Sequence, residues 1–246
     1  MEPIPASGPE GATGAIIRLF AVTKAYGKEN ALSGISLSIL PGELVFFTGP
    51  SGAGKSTLLR LLYRAEEASS GQILVMNRNI SRVPRNRLWE IRRRIGVVFQ
   101  DFSLIPTRTV FDNVALPLFA AGRDREFIRK KVSVLLRNAG LEKRAKSYPQ
   151  SLSGGEQQRV AVARAICTDP DIILADEPTA SLDPEAAGQV MEAILSQHRK
   201  GATVLIATHD RRLYEGLDAR VEHLTRGSIQ ETEQNPSQEA RPFPDR

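Results

Sequence analysis

The chain has 246 residues, of which 41% are hydrophobic and 25% charged, with a formal net charge of +5. That length suits one good-sized domain with a buried core, and the modest positive charge points to anionic partners without choosing among them. The single cysteine, Cys167, excludes an internal disulfide and a cysteine-based metal site, and no apolar run approaches the roughly 20 residues that span a bilayer.

Residues 1–14 are rich in Pro, Gly, Ala and Glu and are expected to form a disordered extension. They have neither a basic start nor an apolar core, so they do not resemble a signal peptide. From there to about residue 227 the pattern alternates strand and helix, as in one domain. Ile35, Leu37 and Ile39 alternate with Gly and Ser, which predicts a half-buried strand. Pro41-Gly42 marks a turn. Leu44 to Thr48 is an apolar run ending at glycine, as a buried parallel strand does, and Ser56 to Tyr63 reads as a helix. The basic stretch from about Gly122 to Gln150 sets Val132, Val134, Leu135 and Leu136 against Arg129, Lys130 and Lys131, which predicts inserted helices. Cys167 follows the helical apolar set Val160, Val162, Ala163 and Ile166 and reads as a small buried hydrophobe. Ile172–Ala175 and Val204–Ala207 are two further buried strands, each followed by polar residues where a parallel sheet puts its active edge. Residues 228–246 are polar and carry three prolines, so a flexible tail is expected.

Two stretches carry chemistry in their own right. Gly49-Pro50-Ser51-Gly52-Ala53-Gly54-Lys55-Ser56 matches GxxxxGK[ST] between a strand and a helix. Gly52 and Gly54 let successive N–H groups turn toward phosphate oxygens, and the following helix aims its positive end at the same place. Lys55 is placed to reach the β- and γ-phosphates and the Ser56 hydroxyl to ligate Mg²⁺. The strand at Ile172–Ala175 ends in Asp176-Glu177. Asp176 suits Mg²⁺ held through its water shell, and Glu177 is placed to polarise a water attacking the γ-phosphate. These motifs establish nucleoside triphosphate binding.

Leu152-Ser153-Gly154-Gly155-Glu156, followed by Gln157-Gln158-Arg159, resembles the signature motif of the ATP-binding cassette (ABC) ATPases. The resemblance covers about residues 16–227. It implies an α/β fold: a RecA-like P-loop NTPase core with an N-terminal antiparallel β subdomain and an inserted α-helical subdomain at about 101–157. It implies ATP and Mg²⁺ as cofactors and ATP hydrolysis as the activity. Tyr26 sits where the family stacks an aromatic on adenine, a core tyrosine being the alternative. Gln100 holds the position that touches the Mg²⁺/water cluster and signals to a membrane subunit. Ser181-Leu182-Asp183 resembles the loop that crosses the dimer interface, and His209 would contact the γ-phosphate. The helix after Ser153 offers a second anion site. The family uses it for another copy's ATP, sandwiched between one chain's Gly49–Thr57 and the other's Ser153–Gly155. A homodimer in the ATP-bound state follows. So does an integral membrane, permease-like partner at the cytoplasmic face of a bacterial membrane, with no nucleic acid expected.

Val98 to Pro106, running into Arg108 to Leu118, resembles the bacterial cell-division group of the family, which drives a membrane partner. Ala180-Ser181 before Leu182-Asp183 is more typical of amino-acid importers, so an import, export or lipoprotein-release ATPase is the alternative. Residues 78–94 hold seven arginines against one acid. They read either as a solvated helix face or as a seat for anionic lipid head groups, with Trp89 expected to pack.

Overall fold

The computed structural model describes residues 14–230. Strand β1 (Ile17–Tyr26) pairs antiparallel with β2 (Glu29–Ile39) on one side. On its other side it pairs with β4 (Ser70–Val75), which carries the two-residue β5 (Arg78–Asn79). The sheet order is β2-β1-β4-β5. Period-two alternation buries Ile17, Leu19, Ile35, Leu37, Ile39, Ile73 and Val75 on one face. The register shifts between Leu19 and Val22, where Ala21 adopts φ +44°. This bulge inserts one extra residue, so Val22 rejoins the buried face one residue late.

The second sheet has six strands in the order β10-β9-β3-β8-β7-β6. Its parallel members are β3 (Leu44–Thr48), β6 (Ile95–Val98), β7 (Ile172–Asp176), β8 (Thr203–Ala207) and β9 (Arg220–Thr225). Strand β10 (Ser228–Gln230) turns back antiparallel on β9. Ordered structure therefore runs past residue 227, and the first three residues of the expected flexible tail are a strand. The remainder of that tail, and residues 1–13 of the expected N-terminal extension, lie outside the described residues.

The central strands β3, β7 and β8 are apolar except for one polar residue at an end of each, because both faces are covered. Val45, Phe47, Ile172, Leu174, Leu205 and Ala207 point toward the antiparallel sheet and helix α1 (Lys55–Leu62). Leu44, Phe46, Ile173, Ala175, Val204 and Ile206 point toward α5 (Gly154–Ile166) and α6 (Pro184–His198). One strand face thus serves each layer.

The helical body joins α3 (Val110–Ala120) and α4 (Arg125–Asn138) to α5. Ile128, Val132 and Leu136 recur every fourth residue on α4 and meet Val114, Leu118, Val160 and Cys167. Helix α5 has two masters: Val160 and Ala163 belong to this body, while Val162, Ala165 and Ile166 pack on the parallel sheet. Cys167 is buried as expected, and burial pushes its thiol up to about 12. Asn113 is also buried. Its amide donates to the carbonyls of Ile105, Arg108 and Thr109 and accepts from Ile105 N–H, which fixes the loop between β6 and α3.

The arginine-rich stretch is not one helix face. It consists of β5, two single 3-10 turns and the four-residue helix α2 (Trp89–Arg92). Arg78 and Arg87 both pair with Glu90, and Arg94 pairs with Asp171. Arg92 donates to the carbonyls of Tyr63 and Arg64 at the end of α1. Trp89 does not pack as expected. It is 56% exposed, with the Arg93 guanidinium over its ring at 5.1 Å.

Candidate active site

Four parallel strands deliver their C-terminal ends to one edge, the place where α/β sheets collect chemistry. β3 releases the loop Gly49–Gly54, β7 ends at Asp176-Glu177, β8 leads into Thr208-His209, and β6 leads through Phe99 to Gln100. The loop needs glycine for steric reasons. A Cβ at Gly49 would be driven into the carbonyl of Leu224, and one at Gly54 into that of Ala31. Gly54 caps α1 in a left-handed conformation, with no side chain bonded to the first turn. The opening N–H groups of α1 stay available for an anion.

Lys55 is only 7% exposed. Its ammonium donates to the carbonyl oxygens of Gly49 at 2.7 Å and Pro50 at 3.1 Å, so the loop itself holds the charge in place. The Ser56 hydroxyl donates to Asp176 Oδ1 at 2.8 Å, across the gap between α1 and β7. Burial raises the Asp176 carboxyl above its ordinary range, and the Ser56 bond opposes that rise.

Glu177 occupies the left-handed region at φ +45°, with its N–H donating to Ala207 O at 2.9 Å. Its Oε1 lies 2.8 Å from His209 Nδ1, and its Oε2 accepts from the Thr208 hydroxyl at 3.3 Å. Thr208 is the contact that sequence reasoning missed, although its position between β8 and His209 offered the signal. A cleft of about 470 Å³ is lined by Pro50, Ser51, Gly52, Ala53, Gly54, Lys55, Ser56, Thr57, Gln100, Glu177 and His209. Residues from four separate stretches of chain therefore meet there.

Tyr26 is 47% exposed, which removes the core-tyrosine alternative. Its hydroxyl bonds Glu66, an acid with no sequence signal of its own, and the Lys24 ammonium lies 4.8 Å from its ring centroid. Burial first, then the Glu66 bond, raise the phenol above its ordinary value.

Ser153, Gly154, Gly155 and Asp183 do not line this cleft. Ser153 Oγ accepts from Glu156 N–H at 3.2 Å while Glu156 Oε2 accepts from Ser153 N–H at 2.8 Å, a closed capping box. Ser153 and Gly154 are exposed. Asp183 caps α6 by accepting from Ala186 N–H at 2.9 Å.

Among the described residues no group of three or more His, Cys, Asp or Glu side chains gathers as a metal cage. The donors that do converge are a hydroxyl and a carboxylate, Ser56 and Asp176, with the Gln100 amide lining the adjoining cleft. That oxygen set fits Mg²⁺, which takes one or two protein ligands and completes its shell with water and phosphate.

Residues 32–180 match the family model of the ABC transporter. The chain belongs to the ABC transporter family. It is 43% identical over 215 residues to the cell division ATP-binding protein FtsE of Bacillus subtilis, covering 87% of this chain and 94% of that protein. FtsE of Escherichia coli K12 is 45% identical over 215 residues, covering 87% and 97%. Among solved structures, the dimeric post-hydrolysis state of the ATP-binding cassette MJ0796, bound to ADP and Pi, superposes with a TM-score of 0.81 at 38% identity. It covers 87% of this chain and 96% of that one. The protein is thus an ATP-binding, ATP-hydrolysing cassette and a homologue of FtsE, and the expected fold class holds.

Proposed function

We propose that two copies of this cassette close head to tail around two MgATP and that closure drives an FtsX-like integral membrane partner in bacterial cell division. The cassette would sit on the cytoplasmic face of the membrane, held there by that partner. Among the described residues no helix is long and apolar enough to cross a membrane. The observation that carries the reading is the separation of two half-sites. Lys55, Ser56, Gln100, Glu177 and His209 share one cleft, while Ser153 and Gly154 lie exposed, and Gly155 half-buried, outside it.

Each residue has a role in this reading. The Gly49–Thr57 loop and the N-terminus of α1 cradle the phosphates, and Lys55 exchanges its two loop carbonyls for β- and γ-phosphate oxygens. Ser56 and Asp176, with Gln100, would hold Mg²⁺, which supplies charge neutralisation between the β- and γ-phosphates. Glu177 accepts the proton of the attacking water. His209, which now bonds Glu177, would turn to the γ-phosphate and leave that carboxylate free to act. Tyr26 offers its exposed ring to adenine. The stretch Ser153–Gly155 completes the other copy's site, and Asp183 lies at the crossing between the two.

A groove of about 600 Å³ opens at Phe99, the residue before Gln100. Its floor is apolar, with Tyr63, Phe99 and Pro117, and its rim carries Arg85, Arg92 and Arg93. This shape and charge suit a short cytoplasmic helix of the membrane partner. Glu177→Gln should bind ATP, lose about 10²–10³-fold in hydrolysis and run as an ATP-dependent dimer in light scattering. Hydrolysis at the parental rate would overturn the role given to Glu177. Pull-down of that variant from its host, in mild detergent with ATP, separates the division reading from its rivals. An FtsX-like protein supports it. An import, export or lipoprotein-release permease contradicts it and keeps the ATPase mechanism.

A further inference from the structure

Gln158, on α5 one turn beyond the signature motif, is 1% exposed. A buried amide is costly unless it is hydrogen-bonded. Its Nε2–H donates to the carbonyl of Pro178 at 2.6 Å, while its Oε1 has no hydrogen-bond partner among the described residues. The side chain therefore makes one directed bond, to the residue that follows Glu177.

That turn is unusual in its backbone. Glu177 and Ser181 both have positive φ, +45° and +64°, without being glycine. Such conformations persist where the surroundings hold them. Glu177 is held from one side by Ala207 O, and the Gln158 amide holds the next residue from the other. A second contact lies a few residues on. A Cβ added at Gly155 would meet Ala186 Cβ at 3.0 Å, so the start of α5 and the start of α6 touch closely. The segment from Pro178 to Asp183 runs between these two fastenings.

We infer that Gln158 is a positioning residue for hydrolysis, its amide fixing the turn that carries Glu177 to the signature end of α5. Gln158 touches no reacting atom and acts through the Pro178 carbonyl. The inference rests on the proposed role of Glu177 and on head-to-tail closure. Under that reading the signature of one chain grips the other chain's nucleotide, and the same α5 sets the angle of its own chain's base.

The test uses the full chain, with steady-state hydrolysis followed against ATP concentration from pH 6 to 9. Gln158→Met keeps the volume and removes the donor. It should lower kcat about tenfold and leave KM within about twofold, the signature of a contact used in the transition state. Gln158→Glu can donate to Pro178 O only when protonated, and burial raises a carboxyl. Its rate relative to the parent should therefore fall as pH rises, whereas the Met ratio stays flat. A loss of packing alone would make the rate of Gln158→Glu follow its own pH-dependent Tm, whereas positioning lowers the rate at pH values where the Tm still lies well above the assay temperature. Parental kcat in Gln158→Met overturns the inference, as does a Gln158→Glu ratio that is independent of pH. Glu177→Gln, assayed alongside, separates the layers. Parental hydrolysis there overturns the base assignment and this inference together, while a dead Glu177→Gln beside a parental Gln158→Met overturns the inference alone.

Discussion

The cleft loop and the signature loop both place glycines at the head of a helix, and the two are finished differently. At the head of α1 Gly49 and Gly54 are sterically required, no side chain caps the first turn, and Lys55, Ser56 and Glu177 line one cleft of the same fold. At the head of α5 the capping box already satisfies two donors, and Gly154 has room, its added Cβ meeting only Phe102 Cζ at 3.9 Å. The first is an anion site assembled by one chain. The second is stable without a ligand and leaves an open, close-approach surface. Gly49 and Gly54 serve the loop's own packing, Gly155 serves the close approach of α6, and Gly154 is left open to whatever comes from outside.

Substituting matched glycines sharpens this contrast most strongly. Gly49→Ala must push aside the Leu224 carbonyl and adopt a φ of +134°. It should cost about 3 kcal/mol or more of stability. Gly154→Ala should leave thermal unfolding within about 2 °C of the parent and act only on ATP-driven dimerisation. Equal Tm losses in the two variants would dissolve the distinction.

A smaller effect separates the cleft's charges from the fold's stability. Burial raises the Asp176 carboxyl in the folded state. The stability linked to this group is therefore complete at low pH, below its unfolded value, and is lost as pH rises through the folded value. Asp176→Asn removes the buried charge and can keep the bond from Ser56. At pH 7 it should raise the Tm of the nucleotide-free chain by roughly 2–4 °C, and the gain should shrink toward pH 4, while hydrolysis is lost. A Tm gain that does not change with pH would contradict the assignment.

Much of this was legible in the sequence because the informative signals are local. The phosphate loop, Asp176-Glu177 and the strands before them are contiguous runs whose chemistry and burial follow from residue order. Leu44–Thr48 comes out as a strand with the expected ends. What stayed hidden depends on contacts between distant segments. Trp89 looked like packing, yet α2 is four residues long and leaves the ring outside with Arg93 over it. Gln158 read as part of a motif, and only the fold brings Pro178 to its amide. Ser228–Gln230 looked like loose tail because so short a strand has no period, and it exists by pairing with β9. The arginines of 78–94 read as a solvated helix face or a seat for lipid head groups, and Glu90 and Asp171 take up Arg78, Arg87 and Arg94.

The central claim is that the cleft of one copy is completed by Ser153–Gly155 of another, and a mixed cross-link tests it directly. Two separate variants, Ser51→Cys and Ser153→Cys, are each made in the Glu177→Gln background and mixed with ATP under mild oxidation. The native Cys167 is buried with its thiol pushed up to about 12, so it stays silent. A disulfide forms only where Cα atoms come within about 7 Å. Head-to-tail closure predicts a covalent dimer in the mixture, dependent on ATP, with little from either variant alone. No cross-link in the mixture with ATP, or one formed equally well by Ser51→Cys alone, would contradict the account.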